Sequence, residues 1–520
     1  MNAPSANLLI RFGFFVLTLT CWIFFQDPEP TLSSEYHEPD PDERFVLETN
    51  QPVGQLSFEI LEDKTGINLP ARLYFAYTDR QPKKPVVGRF KNFLVTASGK
   101  ELKTIPVGEY DVYISRGIEY TIDHQQVKIS KQKLTHFTST LSRAIDTSGF
   151  ISSDFHLHLQ FPMRDGAMVS AAAGLDLLTA TDHNILKDYS PYIEMLNLDR
   201  FMTSMVGSEV DTAFGHYNSF PMSRNQWQDK EYRYAIRTPG EFLRMLRENP
   251  GDEIVQINHP RYGTSKGGYF NTRLNRETGE IEYPFFETGF DQMEVYNALT
   301  EVENQDNPHF GRNSKLNQNL KDWYSLLNRG IAITGVGNTD AHRYPEHLPG
   351  YPRNYVLSET DNPWEIDPYQ IVNDLKRGAS STSLGPFIRF SAGNGVPLGS
   401  TLTARAGSVT LHINVQAAPW IPVDKVEIVG NGKVLETYST TQKSEAIQFD
   451  RTIEITKTQD TWFLVLATSE RPWEPPFSQF TSFAFTNPIW VDFDGNGYFD
   501  PPDPGSTVSK TTEAKIPKHN

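Results

Sequence analysis

Cysteine is almost absent from this chain. The single thiol, Cys21, lies inside an apolar amino-terminal run, so the segment that follows has no disulfide framework and no thiolate ligand. Any metal held there must be bound through nitrogen and oxygen. Basic side chains are also scarce, with 48 Lys and Arg against 64 Asp and Glu and a formal net charge of −16. Binding a long polyanion rests on neutralising phosphates with Lys and Arg, so nucleic acid is not expected as a partner. A local positive site stays open, because metal ions add charge that a residue count misses.

The amino-terminal run is short for a membrane helix. Phe12 to Phe25 provides fourteen residues, against the ~20 needed to cross a bilayer. Arg11 precedes the run and Gln26-Asp27-Pro28 ends it, which is export-signal geometry. Residues 1–26 are therefore expected to be a signal peptide, or a membrane anchor if Leu8 to Ile10 extend the run while Arg11 snorkels. The chain is expected to be exported, periplasmic or extracellular, or tethered to a membrane by this segment. No Ala-x-Ala cleavage site is visible, and Leu19-Thr20 before Cys21 is a poor lipoprotein box.

What is present suggests about three domains in 520 residues. Residues 27–50, rich in Pro, Glu and Asp, read as a solvated linker. Between 51 and 146, alternating runs such as Gln55 to Ile60 and Tyr110 to Ile114, separated by turn residues, predict a β-sandwich. From 147 to 388 apolar strand-like runs alternate with helical stretches, including Gly240 to Glu248 and Arg312 to Asn328. That alternation argues for an α/β region, either a barrel or a doubly wound sheet. Residues 389–503 alternate again and predict a second β-sandwich, and 504–520 form a polar tail expected to be disordered.

Eight of the 13 histidines fall in the central region, and six of them lie at or just beyond a predicted strand end: His156, His158, His183, His216, His259 and His342. Residues i and i+2 of a strand share a face, so His156 and His158 aim into one space while Leu157 packs away from it. Asp182-His183 and Asp340-Ala341-His342 each place an Asp near a His at a strand's carboxyl end, where catalytic residues of a (β/α) barrel gather. Glu209 follows Met205 to Ser208 in the same manner. Imidazole with carboxylate suits Zn, Mn or Fe. A bridging carboxylate holds two ions about 3.5 to 4 Å apart, where a shared water becomes a hydroxide nucleophile near neutral pH.

These motifs resemble the PHP (polymerase and histidinol phosphatase) superfamily, and more closely its CehA/McbA-type metallohydrolases. The resemblance rests on Asp154-Phe155-His156-Leu157-His158, Asp165-Gly166, Thr181-Asp182-His183-Asn184, Gly207-Ser208-Glu209, Gly215-His216-Tyr217-Asn218, Asn258-His259-Pro260, Thr339-Asp340-Ala341-His342 and Gly350 to Val356. Two flanking segments, Arg116-Gly117-Ile118-Glu119-Tyr120 and Phe485 to Asp492, look similar too. It implies a distorted (β/α)7 PHP-type barrel flanked by the two sandwiches. It further implies a first metal on His156, His158, Glu209 and Asp340, with Glu209 bridging to a second on His216 and His259. A third site would use Asp165, His183 and His342, with Asp165 standing where some relatives have His. Asp182 would orient a ligand.

The activity implied is that of an exported hydrolase using two or three divalent ions (Zn, Mn or Fe) and a metal-bridged hydroxide on a small molecule or small anionic substrate. Asp340, Glu209 and Arg353 are the expected catalytic residues, Arg353 as a bidentate anion binder alongside Arg261 and Arg343. Phosphoesters come first among substrates, then carbamates, amides or esters. The non-enzyme alternative is a metal-stabilised extracellular binding protein. Two further segments have paired readings. Asp492, Asp494, Asn496, Tyr498, Asp500 and Asp503 match the spacing of a calcium loop, or form a plain Asp/Gly/Asn turn. Arg471 to Phe477 is a lid over the barrel rim or a packed interdomain loop.

Overall fold

The computed structural model describes residues 41–79, 84–159, 162–223, 238–247, 253–263, 268–275, 280–282, 286–303, 315–404, 407–441 and 445–503. The expected signal or anchor at 1–26, the first part of the linker and the tail at 504–520 lie outside them. Among the described residues no helix is long and apolar enough to cross a membrane.

The second part of the expected linker is a helix, α1 (Pro41–Glu48). Val46 is fully buried and Asp42 nearly so, with Asp42 accepting from the Arg89 amide and ion-pairing Lys103 at 3.3 Å. A single anchoring Val in an acidic stretch leaves no periodicity to read in the sequence. The segment after α1 folds as β1 (Val53–Glu62), β2 (Ala71–Tyr77), β3 (Phe93–Thr96), β4 (Lys100–Pro106), β5 (Gly108–Ser115), β6 (Asp123–Ile129) and β7 (Leu134–Leu141). They make two sheets, β4-β1-β7 and β3-β2-β5-β6. Leu56, Phe58 and Ile60 alternate with Ser57 and Glu59 along β1, and the buried set packs with Leu73, Phe75, Val112 and Ile114. Burial of alternate residues from facing sheets is what holds such a pair together.

The central strands are β8 (Phe150–Leu157), β9 (Leu177–Ala180), β10 (Thr203–Val206), β11 (Ser208–Thr212), β12 (Gly215–Phe220), β13 (Ile254–Ile257), β14 (Gln292–Asn297), β15 (Thr334–Asn338), β16 (Arg353–Leu357) and β17 (Ser380–Leu384). Helices α2 (Met163–Ala172), α3 (Ser190–Met195), α4 (Pro239–Leu246), α5 (Ala298–Glu303), α6 (Lys315–Asn328) and α7 (Pro368–Lys376) connect them. These strands do not form a regular seven-stranded (β/α) barrel: continuous pairing breaks at two seams, which are crossed by the bridges Leu157–Ala341 and His183–Glu209. They divide between an 11-stranded sheet containing β10-β9-β8-β16-β17 and a five-stranded sheet β11-β12-β13-β14-β15. The protein is predominantly β. The reason is visible at Gly207, where the chain passes from β10 to β11 with no helix, and at the β11–β12 connection, which is a tight hairpin and so antiparallel. A Cβ at Gly207 would sit 2.9 Å from Phe220 Cβ and from Ser219 O, so only glycine fits this sharp transition. Parallel pairing survives within β8-β9-β10 and β13-β14-β15.

The large sheet continues without interruption through β17 into the carboxyl-terminal strands. After β18 (Phe387–Ala392), β19 (Val396–Pro397), β20 (Thr401–Thr403), β21 (Ser408–Gln416), β22 (Lys425–Gly430), β23 (Lys433–Ser439) and β24 (Ile447–Thr456) come β25 (Thr461–Pro472), β26 (Thr481–Thr486) and β27 (Ile489–Asp492). β17 pairs β26, which pairs β25, which pairs β22. The second sheet here is β19-β18-β21-β24. One apolar core runs through both regions, from Met293 and Trp323 to Trp462 and Phe485.

Candidate metal centre

The two imidazoles of β8 face the same way, as the i, i+2 rule requires. His156 and His158 are buried, and their Nε2 atoms are 2.9 Å apart. Leu157 points into the opposite core. The end of β8 pairs with the segment after β15: Asp340 N donates to His156 O, and His158 N donates to Ala341 O. That pairing delivers Asp340 and His342 to the same place. His183 follows β9 and bridges to Glu209 on β11, while His216 opens β12 and His259 follows β13. Asp340 and His259 have positive φ, 54° and 26°. Such backbone costs of order 1–3 kcal/mol and collects where side chains are turned into a site.

Four atoms from three segments converge. His156 Nε2 and His158 Nε2 are each 3.3 Å from Asp340 Oδ1, and 3.4 and 2.9 Å from Glu209 Oε2. Ligands ~2.1 Å from a tetrahedral ion are about 3.4 Å apart, so these atoms already lie on a polyhedron of the right size. Neither Glu209 Oε2 nor Asp340 Oδ1 has an aligned hydrogen-bond donor, although both are buried. Two buried carboxylate oxygens without donors are costly unless a cation sits between them. On this test the residues fit a divalent ion.

Glu209 presents one oxygen to each half of the centre. Oε2 faces His156, His158 and His183, and Oε1 lies 3.1 Å from His216 Nδ1 and 3.3 Å from His259 Nε2. Beyond these, Asp211 reaches His183 Nδ1 at 2.7 Å, and His158, His183 and His342 form a further group with ring centroids 4.2 to 6.0 Å apart.

The surrounding residues set the imidazole tautomers. His156 Nδ1 is 2.8 Å from Glu294 Oε1, a contact that assigns the proton to Nδ1 and leaves the Nε2 lone pair for the cluster. Glu294, fully buried on β14, also accepts from the His259 amide at 2.6 Å and from Asn297 and Asn338 side chains. His342 Nδ1 is tied to Asp340 O at 2.8 Å. Asp154 accepts from Thr339 Oγ1 and from the Gly350 and His156 amides, which locks β8 to the Asp340 turn. Glu294 carries no spacing signal in the sequence. Asp211 does carry one, since Glu209-Val210-Asp211 repeats the i, i+2 pattern of His156 and His158.

Burial alone would discourage charge on His158, but Glu209 and Asp340 override it and push the imidazole up to about 9. Burial also opposes charge on Glu209 and Asp340, yet the facing imidazoles hold both carboxyls below the usual carboxylate range. Without metal the cluster therefore holds protons that a cation must displace. Adding Zn or Mn to metal-free protein at pH 7.5 is expected to release at least one proton. Titration calorimetry in buffers of different ionisation enthalpy checks this, and buffer-independent heats would contradict it. The sign for stability follows. A raised His pKa stabilises fully below about pH 6.5 and loses that contribution, on the order of 3 kcal/mol, as pH rises through 9. Metal-free protein should weaken across that window, whereas metal binding tightens as protons leave.

Several sequence expectations are corrected. Asp165 is not in the cluster: its Oδ1 is ion-paired to Arg89 Nη2 at 2.8 Å. Arg353 is fully buried and donates to Gly350, Gly174 and Ala173 carbonyls, so it cannot meet a substrate. Arg261 is likewise buried in a bidentate pair with Asp322 at 2.6 and 2.7 Å. Arg343 is exposed. The Asp182 carboxylate pairs with Lys187 at 2.6 Å, and it is the Asp182 carbonyl that accepts from the Glu209 amide. In the Asp492 to Asp503 segment Asp494 and Asp500 come together with Asp460, from outside it, as a group that could hold an ion. Asp492 instead accepts from the Gly495 and Gly497 amides, Asn496 bonds Asp494 and Asp500, Tyr498 is exposed, and Asp503 N donates to Asn328 O. The six expected ligands therefore do not converge as one set. Trp473 and Phe477 are buried against Trp420 and Tyr351, which makes Arg471 to Phe477 a packed connection.

No protein-family model matches the chain, and no curated protein matches it. Among solved structures the chain is similar, at 15% identity and a TM-score of 0.32, to a two-domain protein containing a predicted PHP-like metal-dependent phosphoesterase from Bacteroides vulgatus ATCC 8482, over 62% of this chain and 92% of that one. It is similar over 18% of its length, at 18% identity and a TM-score of 0.16, to 47% of a minor pilin from Streptococcus agalactiae. At those TM-scores the centre has to be read from its own side chains. They form several groups of His, Asp and Glu able to hold metal ions.

Proposed function

We propose that this protein is a metal-dependent hydrolase of the PHP type, exported or tethered by its amino-terminal segment, and acting on a small substrate. The observation that carries the reading is the convergence of His156 Nε2, His158 Nε2, Glu209 Oε2 and Asp340 Oδ1, with two buried oxygens that lack an aligned donor. A binding protein with a structural metal would close its site. Here exposure rises from one side to the other: the side chains of His156, His158 and Glu209 are at most 1% exposed, those of His342, His216 and His183 20, 30 and 36%. Substrate therefore meets the centre from the His183, His216 and His342 side.

His156, His158, Glu209 and Asp340 would hold a first ion, and Glu209 with His216 and His259 the neighbouring position. A bound divalent ion supplies Lewis acidity, polarising the scissile group and lowering the pKa of water toward neutrality. The chain does the rest. Glu294 fixes the His156 ring, and the buried floor excludes bulk water. His342, its Nδ1 held by Asp340 O and its ring partly open, is kept neutral by burial and by His158, and offers an imidazole on the open side. Phosphoesters remain the first substrate class. Carbamates, amides or esters are favoured by one observation, that Arg353 and Arg261 are buried away from substrate.

The test is elemental analysis of purified protein with a screen of phosphomonoesters, phosphodiesters, carbamates, amides and esters. One class is expected to turn over, to stop with chelator and resume with metal, and to be lost in His156→Ala and Asp340→Ala. Unchanged metal content and turnover in both variants would sink the proposal.

A further inference from the structure

The second half of the centre contains a carboxylate that the motif assignment leaves out. Asp211 and Glu209 share a face of β11, and the hairpin register sets Asp211 directly opposite His216. Asp211 Oδ1 lies 2.7 Å from His183 Nδ1 and 3.6 Å from His216 Nε2, while Glu209 Oε2 lies 3.1 Å from the same His183 nitrogen. The other Asp211 oxygen is held by Asn184 Nδ2 at 2.8 Å, and Asn184 Oδ1 accepts from the Asp211 amide at 3.2 Å. This leaves Oδ1 directed at the histidines, the arrangement expected of a ligand oriented by an outer partner. His183, Glu209, Asp211 and His216 together offer four ligand atoms within 4.8 Å of one another.

Asp165 occupies the opposite situation. Its Oδ1 is neutralised by Arg89, which also approaches Asp42, so its charge is already matched by a part-buried cation. A carboxylate so paired must give up its guanidinium to take an ion.

We propose that Asp211, not Asp165, is the additional carboxylate ligand. It draws His183 into a site with Glu209 and His216, making a two-ion centre bridged by Glu209. His342 is then released from metal binding to face substrate. The inference rests on the hydrolase reading above only for the presence of metal.

Metal content and magnetic coupling test it in the full-length protein, with Mn2+ as the probe. Wild type is expected to bind two ions and give an exchange-coupled paramagnetic resonance spectrum. Asp211→Ala should keep one ion and show an uncoupled signal, while Asp165→Ala should keep two and remain coupled. If Asp211→Ala does not fold, Asp211→Asn should weaken the second ion about 10-fold or more by calorimetry. Full two-ion, coupled binding by Asp211→Ala, unweakened binding by Asp211→Asn, or loss of an ion from Asp165→Ala overturns the assignment. Wild type that binds no metal defeats the hydrolase reading as well. Wild type that binds metal and turns over substrate, with Asp211→Ala unaffected, defeats this ligand assignment alone.

Discussion

Replacing Glu209 with glutamine should empty both halves of the centre at once and lower kcat/KM by about 10³-fold or more, a loss of ~4 kcal/mol in transition-state stabilisation. The side chain keeps its volume but loses the charge through which its two oxygens serve opposite sides: Oε2 toward His156, His158 and His183, Oε1 toward His216 and His259. No other residue of the cluster touches so many partners. The fold should survive, because Asn258 Nδ2 bonds Oε1 at 2.8 Å and an amide oxygen can still accept from it. Metal content and steady-state kinetics on the folded variant check the result. Retention of both ions with activity within about 10-fold of wild type would mean that Glu209 is not the shared ligand.

Arg353→Met is expected to act on stability and to leave substrate binding alone. The guanidinium donates to Gly350 O at 3.1 Å, Gly174 O at 2.9 Å and Ala173 O at 2.6 Å, and stands 3.8 Å from Glu119 Oε1. Removing it strands the buried carbonyls of Gly350 and Ala173, each worth about 1–3 kcal/mol, leaves Gly174 O to Ser152 Oγ, and uncovers one side of a buried carboxylate. A loss of roughly 3–5 kcal/mol by denaturant unfolding is expected, with KM of the folded fraction unchanged within about 3-fold. A KM increase above 10-fold at unaltered stability would restore Arg353 to the substrate. Glu119 itself also receives Arg143, Thr147 Oγ1 and Tyr355 OH. Gly117 in the same segment packs where a Cβ would lie 1.9 Å from Ala173 O, so Arg116 to Glu119 is a joint between the first sandwich and the end of α2.

That joint explains a misleading signal. Arg116-Gly117-Ile118-Glu119-Tyr120 and the Arg353 segment belong to the resemblance beside the histidine motifs, which makes Arg353 an expected anion binder. Their partners show them to be interior architecture. Asp165 misleads in the same way: it keeps the place of a metal ligand in the motif, but Arg89, 76 residues earlier, has taken its charge.

What the sequence determined by itself was what local geometry dictates. With one cysteine the metal donors had to be nitrogen and oxygen, and period-two spacing put His156 and His158 on one face and, equally, Glu209 and Asp211. The alternating runs of the flanking regions likewise follow from burying one face of a strand. The tertiary structure decided the rest: the antiparallel hairpin at β11–β12, the separate duties of the two Glu209 oxygens, the Glu294 contact that orients His156, and the pairing of Arg353, Arg261 and Asp165 with interior partners. Each depends on which distant segment supplies the partner charge. Spacing constrains only neighbours on one element, whereas a buried charge is settled by whatever the fold packs against it.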